Sequence, residues 1–199
     1  MALSREDDGR VEVVCGSMFS GKTEELIRRL RRALLGRLRV QAFKPALDDR
    51  YHETKIVSHG ALSLDAEVVH DARSLLESVR PDTEVVGIDE AQFFGMELVE
   101  VAQTLADRGV RVILAGLDQD YRGRPFEPVP SLMAIAEDVT KCHAVCTSCG
   151  GSASRSQRVI DTQGGAQVQV GAADSYEARC RHCFEHPELA HPRLARAAG

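Results

Sequence analysis

Val11-Glu12-Val13-Val14-Cys15-Gly16-Ser17-Met18-Phe19-Ser20-Gly21-Lys22-Thr23 is the stretch on which the reading of the fold turns. Its first five residues read as a short buried strand. Gly16 to Thr23 then fits G-x-x-x-x-G-K-[ST]. Each position has a chemical reason. Glycines let backbone N–H groups turn inward around phosphate oxygens. The helix that follows points its positive end at the anion. Lys22 suits the β- and γ-phosphates, and the Thr23 hydroxyl suits Mg²⁺. A helix is predicted over residues 23–35, where Leu26, Leu30 and Leu34 recur at four-residue spacing. Arg28, Arg29, Arg31 and Arg32 fill most of its other faces, which read as a solvated or subunit-facing surface, and Gly36 suits its end.

Working outward, residues 39–43, 84–88 and 110–117 read as further buried strands, and 72–79 and 96–108 as helices. Leu98, Val101, Ala102 and Leu105 share one side of the last of these. Residues 47–64 have no clear period and read as loop or short irregular strands. Strands alternating with helices predict an α/β fold, a parallel sheet covered on both faces. Such sheets take ligands at the carboxyl ends of their strands. The segments after Cys15, Ile88 and Leu117 all stand at such ends.

Val85-Val86-Gly87-Ile88-Asp89 is a Walker-B pattern, with a carboxylate near the metal. Two adjacent carboxylates do not both serve cheaply as metal ligands, which leaves Glu90 to polarise a nucleophile. The alternative for Glu90 is an acid that complements a helix dipole. Phe93 and Phe126 read equally well as core or as ligand contacts.

The chain has 199 residues with 30 acidic and 25 Lys or Arg side chains, a formal charge of −5. That balance, without a basic stripe carrying aromatics, argues against a nucleic-acid clamp. No apolar run approaches a membrane span. Residues 1–10 are polar and acidic, without a secretory apolar stretch, so a cytoplasmic protein is expected. Six cysteines are then thiols rather than a disulfide framework. Cys15 and Cys142 read as small buried hydrophobes. Cys146/Cys149 and Cys180/Cys183 form two C-x-x-C pairs separated by thirty residues. Four thiolates suit a tetrahedral structural Zn²⁺; an iron–sulfur cluster uses the same ligand count, and spacing alone does not separate them. His143 and His182 are expected at the surface or behind the ligands.

In family order, the chain carries Gly16 to Thr23, Phe43-Lys44-Pro45 with Asp48 and Arg50-Tyr51, and Ser58-His59. Then come Asp89-Glu90-Ala91-Gln92-Phe93-Phe94, Gly116-Leu117-Asp118, Arg122-Gly123-Arg124-Pro125-Phe126, and the Cys pairs with Tyr176 between them. Over residues 11–184 it resembles the type II thymidine kinases. The resemblance implies a P-loop, RecA-like sheet flanked by helices, with a small zinc-bound β-hairpin "lasso" closing over the nucleoside. It implies transfer of the γ-phosphoryl of ATP to the 5′-hydroxyl of thymidine or deoxyuridine, with Glu90 as general base. ATP and Mg²⁺ contacts would come from Gly16, Ser17, Met18, Phe19, Ser20, Gly21, Lys22, Thr23, Arg50, Asp89, Glu90, Ala91 and Gln92. Met18, Phe93, Leu117, Phe126 and Tyr176 would surround base and sugar, and Cys146, Cys149, Cys180 and Cys183 would hold zinc. Many members are tetramers, so a homotetramer is expected, with no nucleic-acid or membrane partner. Residues 1–10 are expected to be a flexible N-terminus, 11–143 the ATP-binding domain, 144–184 the lasso domain and 185–199 a flexible tail. Tyr121 stands where relatives often have Phe. Two other classes fit the phosphate loop: a nucleic-acid-stimulated ATPase, weakened by the acidic balance, and a non-catalytic ATP-binding regulator, weakened by the intact Lys22, Thr23, Asp89 and Glu90.

Overall fold

A computed structural model of the chain describes residues 9–46, 55–57, 63–159 and 175–186. Arg50, with Asp48, Tyr51 and Ser58-His59, lies outside the described residues, as do residues 1–8, residues 160–174 of the expected lasso and the tail beyond 186.

The chain runs β1 (Arg10–Gly16), α1 (Lys22–Leu35), β2 (Val40–Pro45), β3 (Lys55–Val57), β4 (Ser63–Asp65), β5 (Glu67–Val69) and α2 (Ala72–Ser78). It continues with β6 (Val85–Ile88), α3 (Glu97–Asp107), β7 (Arg111–Gly116), α4 (Val129–Ile135) and β8 (Asp138–Cys142). Four short strands follow: β9 (Ala144–Val145), β10 (Ser152–Ala153), β11 (Arg155–Arg158) and β12 (Tyr176–Arg179). Six strands form one sheet in the order β5-β2-β6-β7-β1-β8, and every neighbouring pair is parallel.

Both faces of this sheet are buried, which is why its central strands are apolar almost without interruption. Val11, Val13 and Cys15 face the core under α2, α3 and α4, together with Val112 and Leu114. Val14, Ile113 and Ala115 face the core under α1. The two-residue alternation of a strand divides them. Gly87 brings α1 close, since a Cβ there would lie 2.4 Å from Leu30 Cδ1.

The apolar stripe of α1 differs from the predicted one. Leu26, Ile27, Leu30 and Ala33 are buried, whereas Leu34 is exposed. The helix therefore meets the sheet along a face rotated from the simple Leu repeat. Arg29 departs from the expected solvated surface. It is tied to Glu12 (2.7 Å), Glu25 (2.8 Å) and Thr140 Oγ1 (2.8 Å). Glu12, pointing from β1 toward α1, also accepts from Arg10 (2.8 Å) and Arg111 (2.7 Å). One carboxylate thus holds three guanidiniums and locks α1 onto the sheet.

No element was expected between residues 118 and 138, and α4 begins there. Its Pro-containing first turn reads as loop in sequence, although Pro is at home at a helix start. Strand β8 is polar because it is an edge strand, with only β1 beside it.

Burial pushes the Glu12 carboxyl upward, but its bonds to Arg111, Arg10 and Arg29 outweigh this and bring it from 4.5 down to about 2. A carboxyl lowered on folding stabilises the native state above its unfolded pKa, and that stability is lost as pH falls through the folded value. Glu12→Gln is expected to cost about 3 kcal/mol near neutral pH and to flatten the loss of stability between pH 4.5 and about 2. Denaturant titrations across that window check it; a variant as acid-sensitive as the parent would contradict the assignment.

Candidate active site

The loop that leaves β1 is shaped by one contact. Gly16 has φ +144°, and a Cβ on it would lie 2.3 Å from the carbonyl oxygen of Cys142 on β8. Phe19 (φ 63°) and Gly21 (φ 81°) continue the turn in the left-handed region. Gly21 caps α1, its carbonyl accepting from Glu25 N–H at 3.0 Å. Lys22 Nζ and Ser20 Oγ each donate to the Ser17 carbonyl at 2.8 Å. The Ser17 hydroxyl is buried with no hydrogen-bond partner among the described residues. An unsatisfied buried donor beside a helix N-terminus suits an anion.

The acidic pair follows β6. Asp89 N–H donates to Phe43 on β2 at 3.0 Å. The buried Asp89 carboxylate takes the Thr23 hydroxyl at 3.2 Å and the Glu90 N–H at 3.0 Å. These two oxygens, hydroxyl and carboxylate, are the hard ligands that Mg²⁺ prefers. Burial above all, and then the adjacent Glu90 charge, push the Asp89 carboxyl up to about 7, against the pull of Lys22 and Thr23. Desolvation lowers Lys22, opposed by Glu90 and Asp89. Lysine and both carboxylates therefore feel one another. Glu90 itself sits at φ 52°, opening a single 3-10 turn over Ala91–Phe93. The Ala91 methyl lies in the core. Gln92 is buried, its amide donating to Glu90 and accepting from Leu117 N–H.

Other expected contact residues surround this edge. Phe93 and Phe126 meet edge to face, centroids 6.3 Å apart. Leu117 and Phe126 are buried, and Phe126 N–H donates to Asp118 at 3.1 Å. Met18 N–H donates to Ser156 Oγ of β11 at 3.0 Å. Tyr176, on β12, is 4% exposed. Its hydroxyl accepts from Arg158 at 3.0 Å, and the same guanidinium lies 3.8 Å from the Tyr121 ring centroid.

Sequence reading missed several of these partners. Ser156, Arg155 and Arg158 of β11 grip the loop and the turn after β7, Arg155 through Gln119. Lys141 of β8 pairs with Asp118 at the end of β7, spanning β1, which lies between those strands. Nothing in a lone Ser or Arg announces such contacts; Asp118, a carboxylate closing an apolar strand, was the one available signal.

The four expected sulfur ligands do converge. Cys146, Cys149, Cys180 and Cys183 have sulfurs within 4.8 Å of one another, and Cys149 and Cys180 are 3.7 Å apart. Tetrahedral bonds of ~2.3 Å put sulfurs about 3.8 Å apart, so the cluster fits a zinc-sized ion. Backbone N–H groups, Cys180's first, draw the Cys146 thiol down to about 6, toward the thiolate that binds metal. Among the described residues, the small side chains of Ala144, Ala153 and Ala178 form the buried apolar cluster with them.

The family model described as "Thymidine kinase" matches residues 9–184. A protein named thymidine kinase from Bdellovibrio bacteriovorus is 60% identical over 186 residues, covering 94% of this chain and 90% of its own. Another so named, from Rhodothermus sp., is 58% identical over 179 residues, covering 90% and 83%. Among solved structures, domain III of the Thermotoga maritima replication initiation protein DnaA has a TM-score of 0.44 at 18% identity, covering 69% of this chain and 56% of its own. That likeness is too low to carry an argument.

Elemental analysis of protein purified without chelator is expected to find one tightly held metal ion per chain, and to say whether it is zinc or iron. Cys146→Ser should release it and open β9–β12 to protease before the main sheet. Full metal retention by that variant would contradict the four-sulfur ligand set.

Proposed function

The chain belongs to the thymidine kinase family, and from that premise we propose that it transfers the γ-phosphoryl of ATP to the 5′-hydroxyl of thymidine, and of deoxyuridine. One observation carries the reading at the level of residues: the Gly16–Thr23 loop and the Asp89-Glu90 pair meet at the carboxyl edge of one sheet, Thr23 and Asp89 3.2 Å apart. In this reading the sheet is a P-loop, RecA-like core over residues 11–143, and 144–184 form the lasso.

Phosphoryl transfer asks a protein for positioning and for neutralisation of charge. Backbone N–H groups of the Gly16–Thr23 loop receive the phosphates, and Lys22 leaves the Ser17 carbonyl to meet them. Mg²⁺ held by Thr23 and Asp89 would neutralise triphosphate charge. Glu90 takes the proton of the 5′-hydroxyl as the oxygen attacks. Met18, Phe93, Leu117, Phe126 and Tyr176 enclose base and sugar. Excluding water keeps ATP from hydrolysis, and the lasso, held by structural zinc on the four cysteines, provides that cover. Its contacts to the catalytic loop through Ser156, and to the turn after β7 through Arg155, support a cover rather than a separate binding module. The same reading takes the enzyme to be cytoplasmic and tetrameric, and light scattering checks the tetramer.

Incubating the protein with ATP, Mg²⁺ and thymidine should yield thymidine monophosphate, with no stimulation by DNA. ATP loss only when DNA is present would contradict the kinase reading, as would tight ATP binding without turnover. Glu90→Gln should keep ATP affinity and lose about 10²- to 10⁴-fold in rate; retained turnover would remove Glu90 from the role of base.

A further inference from the structure

Gln92 has no part in the proton transfer just described, yet its placement is tightly determined. It is 4% exposed. Its Oε1 accepts the backbone N–H of Leu117 at 3.0 Å, and its Nε2 donates to Glu90 Oε2 at 2.5 Å. The orientation of the amide follows from chemistry. A backbone N–H only donates, so the oxygen must face Leu117, and the NH₂ is left facing Glu90. Gly116 keeps room for it, because a Cβ there would lie 2.9 Å from Gln92 Oε1 and 2.8 Å from Val129 Cγ2. Glu90 meanwhile stands at φ 52°, a backbone conformation that an ordinary side chain adopts only when its surroundings impose it.

We propose that Gln92 is a positioning residue: its amide bridges the end of β7 to Glu90 and holds that carboxylate in the one orientation in which it meets the 5′-hydroxyl. This rests on Glu90 being the base. A carboxylate beside Asp89 without such a tether would be free to turn, and every misdirected rotamer is a lost turnover. The tether is fixed at its far end to Leu117, the residue directly after strand β7, so the base is anchored to the end of a central strand. The same amide also ties the base to Leu117, a residue of the nucleoside wall, at a single point.

A double-mutant cycle tests this. Gln92→Leu, and Gln92→Met as a volume-conserving second variant, are each expected to lower kcat about 10- to 100-fold, the effect of losing a hydrogen bond to a charged group. KM for ATP and thymidine should change little, since both ends of the amide are committed within the protein; a raised KM for ATP would mark Gln92 as the ATP contact that the resemblance implies and overturn the proposal, and melting temperatures identify any variant that fails to fold. In the Glu90→Gln background, Gln92→Met should cost nothing further, because the carboxylate that it orients is gone. If Gln92→Met multiplies the Glu90→Gln loss by the same factor, or if its effect falls on the KM for thymidine instead of kcat, Gln92 serves Leu117 or the substrate and the proposal is overturned. If Glu90→Gln alone turns over normally, the base reading fails and takes this inference with it.

Discussion

The carbonyl oxygen of Cys142 occupies the space that a side chain at position 16 would need. Strand β1 is wedged between β7 and β8, and at its carboxyl end the chain must leave the sheet with β8 pressed against it. Only glycine fits there, at a φ that other residues avoid. From that exit the loop folds back, α1 starts at Lys22, and Thr23 is carried to Asp89 at the end of β6. The ion cluster around Glu12 then fixes α1 from the opposite end of β1, so helix and loop are held at two points along one strand.

The sulfur cluster answers a different problem. Among the described residues, strands β9 to β12 pair in twos and bury mainly three alanines beside the cysteines, little apolar area with which to hold a fold. A metal ion bound by the four thiolates would provide the missing cohesion. The module's polar contacts are then spent on the neighbouring edge of the sheet: Ser156 on Met18, Arg155 on Gln119, Arg158 between Tyr121 and Tyr176. A small unit with a weak core of its own, with four thiols placed to take a metal and hydrogen bonds to the neighbouring sheet edge, suits the proposed role of a cover over a ligand.

Much of this was legible in the sequence, for identifiable reasons. β1, β6 and β7 are buried on both faces, and α3 has a clean apolar stripe, so local pattern announces them. The Gly16–Thr23 spacing and the paired C-x-x-C motifs are chemical requirements, visible without a fold. What escaped depends on partners far away in the chain. Arg29 looks like solvent-facing charge until Glu12 and Thr140 are brought beside it. Leu34 continues a repeat that the curvature of the contact leaves behind. Strand β8 reads as polar loop because its charges serve Asp118 and Arg29 and not a core. Gln92 stands inside a quoted motif, but no spacing rule says that its amide spans from Glu90 to Leu117.

In the proposed reading, one edge of the sheet would present a phosphate cradle, a pair of oxygens suited to Mg²⁺ and a single general base to one nucleoside. A crystal structure with Mg²⁺, a non-hydrolysable ATP analogue and thymidine measures it most directly. Lys22 is expected on the phosphates instead of the Ser17 carbonyl, Mg²⁺ beside Thr23 and Asp89, and the 5′-hydroxyl about 2.6–3.2 Å from a Glu90 oxygen. A thymidine whose 5′-hydroxyl faces another group, with Glu90 turned out of the crevice, would contradict it.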